Sequence, residues 1–320
     1  MCEYTSVAMI EDRKPLCNYR APKYWPIWFA MGVLRLICLL PHQSVLAIGR
    51  ILGKLAYYIA HSRRQIVKRN IELCFPEMSS FERHTLVVKH FKSLGIMLVE
   101  MGLGRWASDK YLQSITVIKG LEHLKKANKD GRGTILLSAH FTTLEISSRV
   151  LAAVSEPFDG VYRRNRSDFI TEILRSGRER AVANLIEKRD IRKMVRNLRA
   201  GRTVWYAPDQ SYNRKGAEIV NFFGIPTMHT TATSTLARLG KAVVIPFFFQ
   251  RLPDGTYEIT ILAPLNDFPS EDPIADTRQY VSLLEKRIRI CPEQYFWIHR
   301  KFKNLPDDYP DYYADLDASR

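Results

Sequence analysis

The chain has 320 residues, 46% of them hydrophobic and 25% charged, so it can bury a sizeable core and is not globally disordered. Its formal net charge of +15 indicates an acidic partner: anionic lipid, an acidic carrier protein or nucleic acid. The five cysteines are odd in number and scattered, with no C-x-x-C pair, which argues against a disulfide framework or a zinc site and favours a reducing compartment.

The first predicted element is an apolar helix near the N-terminus. Residues 1–23 carry mixed charges and do not form a cleavable signal, whereas residues 24–40 are apolar except for Arg35. Seventeen helical residues span about 26 Å, slightly less than a bilayer core of about 30 Å. Tyr24, Trp25 and Trp28 cluster at one end, as is typical of an interfacial aromatic belt. We therefore expect a membrane anchor, which either spans the bilayer or lies in its surface.

Residues 44–64 form a second candidate membrane segment. Arg50, Lys54 and His61 fall near one helical face, and aliphatic side chains fill much of the remainder. This pattern predicts an amphipathic helix in a membrane interface, and the alternative is an ordinary core helix. Residues 65–118 are predicted to be mainly helical, with a break at Pro76.

From about residue 119, strand and helix patterns alternate. The predicted strands are residues 134–139, 203–207, 242–249 and 257–262, and the predicted helices are residues 168–200, 230–239 and 277–290. The last two strands are expected to pair across a turn at residues 253–255. Alternation of this kind predicts an α/β fold with helices on the faces of the sheet. The last 16 residues, with five Asp and one Arg, are expected to be a solvated tail.

The main catalytic candidate, His140, follows the strand at residues 134–139 and precedes a helix that begins near Leu144. The carboxyl end of a strand is where α/β sheets bind ligands. On one continuous helix, His140 and Glu145 would point about 140° apart, but a strand–turn–helix break can bring them together. A carboxylate that holds a histidine makes it a general base. The alternatives are a structural histidine beside an unrelated glutamate, or nucleophilic attack by Ser138, which lacks a G-x-S-x-G context.

Positive charge is concentrated in residues 163–202, which contain 13 Lys or Arg against five Asp or Glu. A loop with arginines at positions 163, 164 and 166 follows a short strand, so it could hold phosphate at the sheet edge. Further arginines recur at helical spacing beside an apolar stripe of Ile191, Val195 and Leu198; these are Arg189, Arg192, Arg196 and Arg199, the arginine ridge. The ridge predicts docking of an anionic partner, and the alternative is a merely solvated face. No helix-turn-helix, zinc-finger or RNP signature favours nucleic acid.

Along essentially its whole length, the chain resembles the bacterial lipid A biosynthesis acyltransferases. The matching segments are the apolar N-terminal region, the His140-x4-Glu145 motif, Tyr162-Arg163 with residues 176–178, residues 207–210 with 221–224, and residues 294–303. The last is the most specific, because so long an ordered run rarely arises by chance. Two departures, Arg164 in place of a proline and Ser211 in place of an acidic residue, concern donor or acceptor preference.

The resemblance implies an αβα sandwich with a mixed sheet, like that of glycerol-phosphate acyltransferases, behind an N-terminal hydrophobic membrane-anchor helix. The implied boundaries are a tail at residues 1–22, an anchor at 23–41, an acyltransferase domain at 42–304 and an acidic tail at 305–320. The implied enzyme works on the cytoplasmic side of the bacterial inner membrane. It transfers a lauroyl- or myristoyl-type chain from acyl carrier protein to a hydroxyl of a hydroxyacyl chain on a Kdo-bearing lipid A precursor. Its partners are this carrier, the precursor and membrane lipid, and it needs no cofactor, metal or nucleic acid.

The resemblance also assigns roles to individual residues. His140 is the expected general base, and Glu145 is expected to orient it. The expected substrate-binding residues are Arg163, Arg178, Asp209 and Gln210, with Arg164, Trp297, His299 and Arg300 as further candidates. Two alternatives stay open: another H-x4-D/E acyltransferase acting on a glycolipid or glycerol phosphate, and a non-catalytic basic protein that binds membrane surfaces.

Overall fold

The computed structural model describes residues 15–165 and 167–318, so part of the predicted N-terminal tail (residues 1–14) and Arg166 lie outside the described residues. The α-helices are α1 (Trp25–Ile37), α2 (His42–Ile59), α3 (His61–Cys74), α4 (Ser80–Trp106), α5 (Asp109–Ser114), α6 (Leu121–Lys129), α7 (Leu144–Val154), α8 (Asp168–Arg178), α9 (Ile191–Arg199), α10 (Ala232–Gly240), α11 (Pro273–Ile290) and α12 (Ala314–Ala318). The strands are β1 (Thr116–Lys119), β2 (Thr134–Leu137), β3 (Phe158–Tyr162), β4 (Asn184–Glu187), β5 (Thr203–Tyr206), β6 (Ala217–Phe222), β7 (Ile225–Thr230), β8 (Val243–Arg251) and β9 (Tyr257–Ile261).

Seven strands form a mixed sheet in the order β1-β9-β8-β2-β5-β3-β4, and β6 and β7 form a separate antiparallel hairpin. Strands β8, β2, β5, β3 and β4 run parallel to one another, whereas β9 and its parallel neighbour β1 run in the opposite direction. The predicted α/β fold with a mixed sheet flanked by helices is therefore confirmed. Central strand β2 is buried along its whole length, as its unbroken apolar sequence predicts.

The order of the sheet determines which loops meet. Strand β2 lies between β8 and β5, and Leu137 is in register with Tyr206 of β5. Because the two strands are parallel, the segments after them leave the same edge, and these segments carry His140 and Asp209. Residues separated by 69 positions in sequence are thereby brought together.

The N-terminal helices pack against α4 through glycines. A Cβ atom on Gly95 of α4 would lie 2.1 Å from the carbonyl oxygen of Gly49 and 2.2 Å from the amide nitrogen of Gly53, both on α2. The two backbones can approach this closely only because neither carries a side chain at the crossing. This packing buries Val45 and Leu46 and turns the opposite apolar face of α2 outward.

Helix α1 is shorter than the predicted anchor. It has 13 residues, about 20 Å of helix, and no helix within the described residues is long and apolar enough to cross a membrane. The predicted spanning helix is therefore corrected, because the apolar run at residues 24–40 ends its helix at Ile37. Large apolar side chains of α1 and α2 nevertheless remain exposed, including Phe29, Leu36, Leu55 and Ile59.

The C-terminal residues pack on the domain, although they were expected to be solvated. Tyr313 is 1% exposed, and its hydroxyl donates a hydrogen bond to the side-chain oxygen of Asn70 on α3. Arg69 of the same helix pairs with Asp315 at 2.6 Å. The acidic composition concealed this contact, because the aromatic rings that anchor the segment stand among aspartates in the sequence.

Candidate active site

A histidine–aspartate pair lies where strands β2 and β5 end. The Nδ1 atom of His140 lies 2.6 Å from one carboxylate oxygen of Asp209, and the main-chain N–H of His140 donates to the other at 3.1 Å. The Asp209 side chain is 2% exposed, whereas that of His140 is 34% exposed. Asp209 therefore holds both the backbone and the ring of His140 and leaves Nε2 free to face a substrate.

Opposing influences determine the protonation of this pair. Burial lowers the pKa of His140, but the charge and hydrogen bond of Asp209 outweigh burial, and the net pKa is raised above its ordinary value. Burial alone would raise the pKa of Asp209, but His140 and Lys301 hold it well below its usual range. The carboxylate thus stays ionised and strengthens the imidazole as a base.

Glu145 does not hold His140, which corrects the expected contact. One oxygen of Glu145 accepts hydrogen bonds from Nε and Nη2 of Arg178 at 3.0 and 2.7 Å. Glu145 lies in the first turn of α7, and Arg178 lies in the last turn of α8, each favoured there by its helix dipole, and the fold brings these two helix ends together. The charge of Arg178 lowers the pKa of His140, so the guanidinium lies close enough to influence the ring.

The loop from His140 to Thr143 is held from behind by the C-terminal segment and α4. The Thr142 amide donates to the Gln294 carbonyl oxygen at 2.9 Å, and the Phe296 amide donates to the His140 carbonyl oxygen at 3.0 Å. The hydroxyls of Thr142 and Ser93 lie 2.7 Å apart. These contacts fix the direction in which His140 leaves the sheet.

A small, solvent-open recess lies beside the pair, and only some of the predicted site residues line it. Gln210 and His299 line it beside His140 and Asp209. His299 is exposed as a residue, yet partial shielding of its ring and the charge of His140 lower its pKa to about 4. Asp209 was predicted to bind substrate; in the structure, each of its two oxygens makes a hydrogen bond with His140.

Two further candidates in the C-terminal run have structural surroundings. Trp297 borders the recess but is 1% exposed, and its ring N–H donates to the Pro292 carbonyl oxygen at 2.7 Å. The guanidinium of Arg300 lies 5.2 Å from the centre of the Tyr313 ring and helps to cover the docked C-terminal segment. Lys301, which the sequence analysis did not select, lies in the recess wall at 4% exposure.

The positive charge of residues 163–202 is partly neutralised by ion pairs. Arg202 pairs with buried Asp159 at 2.5 Å, and Arg164 lies 3.5 Å from Asp168. Arg163, by contrast, is exposed at the carboxyl end of β3, and next to it the Lys188 amide donates to the Tyr162 carbonyl oxygen at 2.8 Å.

The arginine ridge differs in detail from the prediction. Arg192 and Arg196 of α9 are exposed, as expected, but the helix packs through Met194 and Leu198, and Ile191 remains exposed. Lys188 has a lowered pKa, caused first by burial and then by the charges of Arg163, Arg214 and Arg189.

The arrangement supports proton abstraction by a histidine. Ser138 is fully buried, so the hypothesis of a serine nucleophile is not supported by its position. Among residues 15–165 and 167–318, no cluster of three or more His, Cys, Asp or Glu side chains could hold a metal ion. The hydrogen on Nδ1 faces Asp209, and the lone pair on Nε2 is then available for a proton from a bound hydroxyl.

The sequence did not identify Asp209 as the partner of His140. The available signal was that both residues directly follow apolar strands, but the adjacency of those strands is a property of the sheet order. Lys301 gave no signal of its own within a run of aromatic and basic residues.

Comparison with known proteins gives the family. The sequence profile of the bacterial lipid A biosynthesis acyltransferases matches residues 13–304. The chain is 38% identical to the lipid A biosynthesis lauroyltransferase of Escherichia coli K12 over 91% of this chain and 96% of that protein. It is 34% identical to the lipid A biosynthesis palmitoleoyltransferase of E. coli K12, over 91% and 97%, and 34% identical to a lipid A biosynthesis acyltransferase of Haemophilus influenzae, over 91% and 94%. The chain is an acyltransferase and belongs to the bacterial lipid A biosynthesis acyltransferases.

Proposed function

We propose that this acyltransferase moves a fatty acyl chain from acyl carrier protein to a hydroxyl of a hydroxyacyl chain on a Kdo-bearing lipid A precursor. The observation that carries the proposal is the 2.6 Å contact between His140 and buried Asp209, with Nε2 left accessible. Acyl transfer to a hydroxyl requires a base at the attacking oxygen, and this pair supplies one. The length of the acyl chain is not part of the proposal, because the relatives include lauroyl- and palmitoleoyltransferases.

The proposed reaction proceeds without an acyl-enzyme. Nε2 of His140 takes the proton from the acceptor hydroxyl while the hydroxyl oxygen attacks the thioester carbonyl carbon. The new C–O bond forms, the C–S bond breaks, and the imidazolium returns its proton to the leaving thiolate. Asp209 holds the ring and stabilises the imidazolium between these two proton transfers.

Glu145 has a different proposed role from Asp209. By accepting two hydrogen bonds from Arg178, it fixes the guanidinium near His140. A fixed cation stabilises the negative charge that develops on the carbonyl oxygen, or holds an anionic group of a substrate. We therefore propose that the H-x4-E motif contributes the base through His140 and positions a cation through Glu145.

Two basic surfaces suit two anionic partners. Arg163 at the sheet edge, with Lys188, Arg189 and Arg214 near it, is proposed to bind phosphate or carboxylate groups of the acceptor headgroup. The exposed side of α9 is proposed to bind the acidic carrier protein, because its arginines lie outside the recess. In both cases the net charge of +15 favours encounter with an anion.

The proposed location is the cytoplasmic face of the bacterial inner membrane. Support comes from α1, α2 and the turn between them, which expose Phe29 (76%), Leu39 (76%) and Ile59 (82%) on the side away from α4. Two amphipathic helices of this kind can lie in the headgroup region without spanning the bilayer. An enzyme held in this way reaches a lipid acceptor at the membrane surface in which the acceptor lies.

The proposal is tested by acyl transfer with purified protein in mixed lipid micelles. The donors are acyl carrier proteins with chains of defined length, the acceptor is the Kdo-bearing precursor, and the product is identified by mass spectrometry. We expect His140→Ala to lower kcat/KM by about 10²- to 10⁴-fold, the usual contribution of a general base.

The matched control is His84→Ala, because His84 is an exposed histidine of α4 outside the recess. Its activity and melting temperature should equal those of the wild type. Near-normal transfer by His140→Ala would refute the assigned base, and absence of transfer to the Kdo-bearing precursor by the wild type with every donor would refute the assigned acceptor.

A further inference from the structure

We propose that Lys301 is a positioning residue that keeps His140 available as a base, by fixing the main chain of Asp209 and by opposing protonation of the imidazole. The inference rests on the proposed function, since it concerns the base strength of His140. Three structural observations lead to it: a direct contact with Asp209, the burial of the ammonium group, and its place in the recess wall beside His140.

The contact is between the Lys301 ammonium group and the carbonyl oxygen of Asp209. A lysine that donates to a backbone carbonyl keeps its positive charge near the carboxylate of the same residue without competing for the carboxylate oxygens. Both oxygens of Asp209 therefore remain free to accept from the ring and the amide of His140. The ammonium also lies 4.7 Å from the centre of the Phe222 ring, which holds it from the other side.

Burial of this cation is costly and calls for a reason. Lys301 is 4% exposed, and a methionine of similar length would fill the space without a charge to desolvate. Burial lowers the pKa of Lys301 to about 8, while Asp209 acts in the opposite direction and keeps the ammonium charged near neutral pH.

The charge has a defined effect on the catalytic pair. Asp209 alone would raise the pKa of His140 further, and a histidine already protonated before substrate binds cannot act as a base. Lys301 counters this effect, since its charge lowers the pKa of both His140 and Asp209. The carboxylate can thus orient the ring strongly while Lys301 limits the rise in the pKa of the imidazole.

Few of the surrounding groups titrate near neutral pH. The groups that act on Lys301, His140 or Asp209 are Cys74, Arg178, His229, Tyr280, Glu285, Tyr295, His299 and Tyr313. Burial raises the pKa of the Cys74 thiol and of all three tyrosines, and it lowers the pKa of His229 and His299. Lys301, whose pKa is lowered to about 8, and His140, whose pKa is raised, are then the coupled groups whose protonation the test follows.

The test compares Lys301→Met and Lys301→Arg with the wild type over pH 5 to 9. In Lys301→Met, the acidic limb of kcat/KM should move to higher pH by about half a unit, less than the 1 to 3 units of a directly paired charge. Lys301→Arg should keep the acidic limb, because arginine stays charged throughout this range. The wild type should show a change in kcat/KM near pH 8 that both variants lack.

A second measurement does not depend on activity. The ring signal of His140, assigned by its loss in His140→Ala, should titrate at higher pH in Lys301→Met when followed by NMR of labelled histidine. The matched control is Lys303→Met, which removes an exposed positive charge from the same segment. It should leave the His140 titration unchanged.

The outcomes separate this inference from the proposed function. If His140→Ala is inactive but the His140 titration is the same in wild type and Lys301→Met, the inference fails and the base assignment stands. If Lys301→Met does not fold, the test rests on Lys301→Arg. The inference is then overturned if kcat/KM of Lys301→Arg follows the same pH dependence near pH 8 as that of the wild type. If His140→Ala is active, the proposed function itself fails.

Discussion

Asp209→Asn is the substitution that most directly tests the geometry of the site. Asp209 accepts two hydrogen bonds from one residue, from the amide of His140 at 3.1 Å and at Nδ1 at 2.6 Å. Asparagine has one acceptor oxygen and one NH₂ group, so it cannot accept both bonds. Either the main-chain N–H loses its partner, or the ring shifts its hydrogen to Nε2 and loses the lone pair that acts as base.

We expect a large loss of rate and a shift of pH dependence in a defined direction. The corresponding Asp-to-Asn change in a Ser-His-Asp triad costs about 10⁴-fold, and general-base catalysis is worth about 10²- to 10⁴-fold. The expected loss is thus about 3 to 5 kcal/mol of transition-state stabilisation. Without the carboxylate, burial, Arg178 and Lys301 all lower the pKa of His140, so the acidic limb of kcat/KM should move to lower pH.

The assay is the initial rate of acyl transfer between pH 5 and 9 at saturating and limiting acceptor concentrations. The control is Asp276→Asn, because Asp276 is also a buried carboxylate, bonded to Ser234 at 2.6 Å and to the Ser270 amide, and it lies outside the recess. This control shows what the loss of any buried carboxylate does to the enzyme, so that the specific effect of removing the partner of His140 can be recognised. A rate for Asp209→Asn within about threefold of wild type, with an unmoved acidic limb, would refute the argument.

Three further changes test the remaining parts of the site and its surfaces. Glu145→Gln should lower kcat by about 10²-fold, the effect of losing one electrostatic stabiliser, without moving the acidic limb, because its partner is Arg178. Phe29→Ser with Leu36→Ser should weaken the affinity for anionic vesicles, measured by co-sedimentation, about a hundredfold. The reason is that burying two exposed apolar side chains in lipid contributes about 3 kcal/mol or more to the binding free energy. Arg192→Glu with Arg196→Glu should weaken binding of acyl carrier protein and flatten its salt dependence.

Each of these changes has a matched control. Glu156→Gln removes an exposed carboxylate elsewhere, and its kcat should be unchanged. Phe81→Ser removes an equally exposed ring from α4, so vesicle binding that drops as much in this variant would contradict the assigned membrane face. Lys125→Glu with Lys129→Glu reverses two charges on α6, and an equal loss of carrier binding would mean that only net charge matters.

The sequence predicted the architecture where apolar patterns were long and uninterrupted. Residues 134–139, 203–207 and 242–249 were expected to be strands, and β2, β5 and β8 lie there. Strand β4 was missed because it is a four-residue edge strand within a strongly charged stretch. The hairpin of β6 and β7 was also missed, although its turn at Phe223 and Gly224 adopts positive φ at both residues.

The candidate site could be only partly predicted, for a topological reason. Spacing along one segment drew attention to His140 and Glu145, which lie at a strand–loop–helix junction. Spacing cannot indicate which strand lies beside β2, and that neighbour supplies Asp209. Electrostatic pairing across elements, such as Glu145 with Arg178, likewise depends on how α7 and α8 approach each other.

The five-residue separation of His140 and Glu145 therefore has a different meaning from the one that the motif suggests. His140 follows strand β2 and contacts the segment after the neighbouring strand, whereas Glu145 lies in the first turn of a helix and contacts the last turn of another. The short loop between them holds two pairs, His140 with Asp209 and Arg178 with Glu145, at one edge of the sheet. Each pair joins a basic side chain to a carboxylate. In the proposed mechanism, the more exposed member of the first pair, His140, is the base, and the more exposed member of the second, Arg178, is the stabilising cation. The proposed transfer removes a proton at one atom and builds negative charge at the next, so it needs these two groups at a fixed separation, and we infer that this loop sets it.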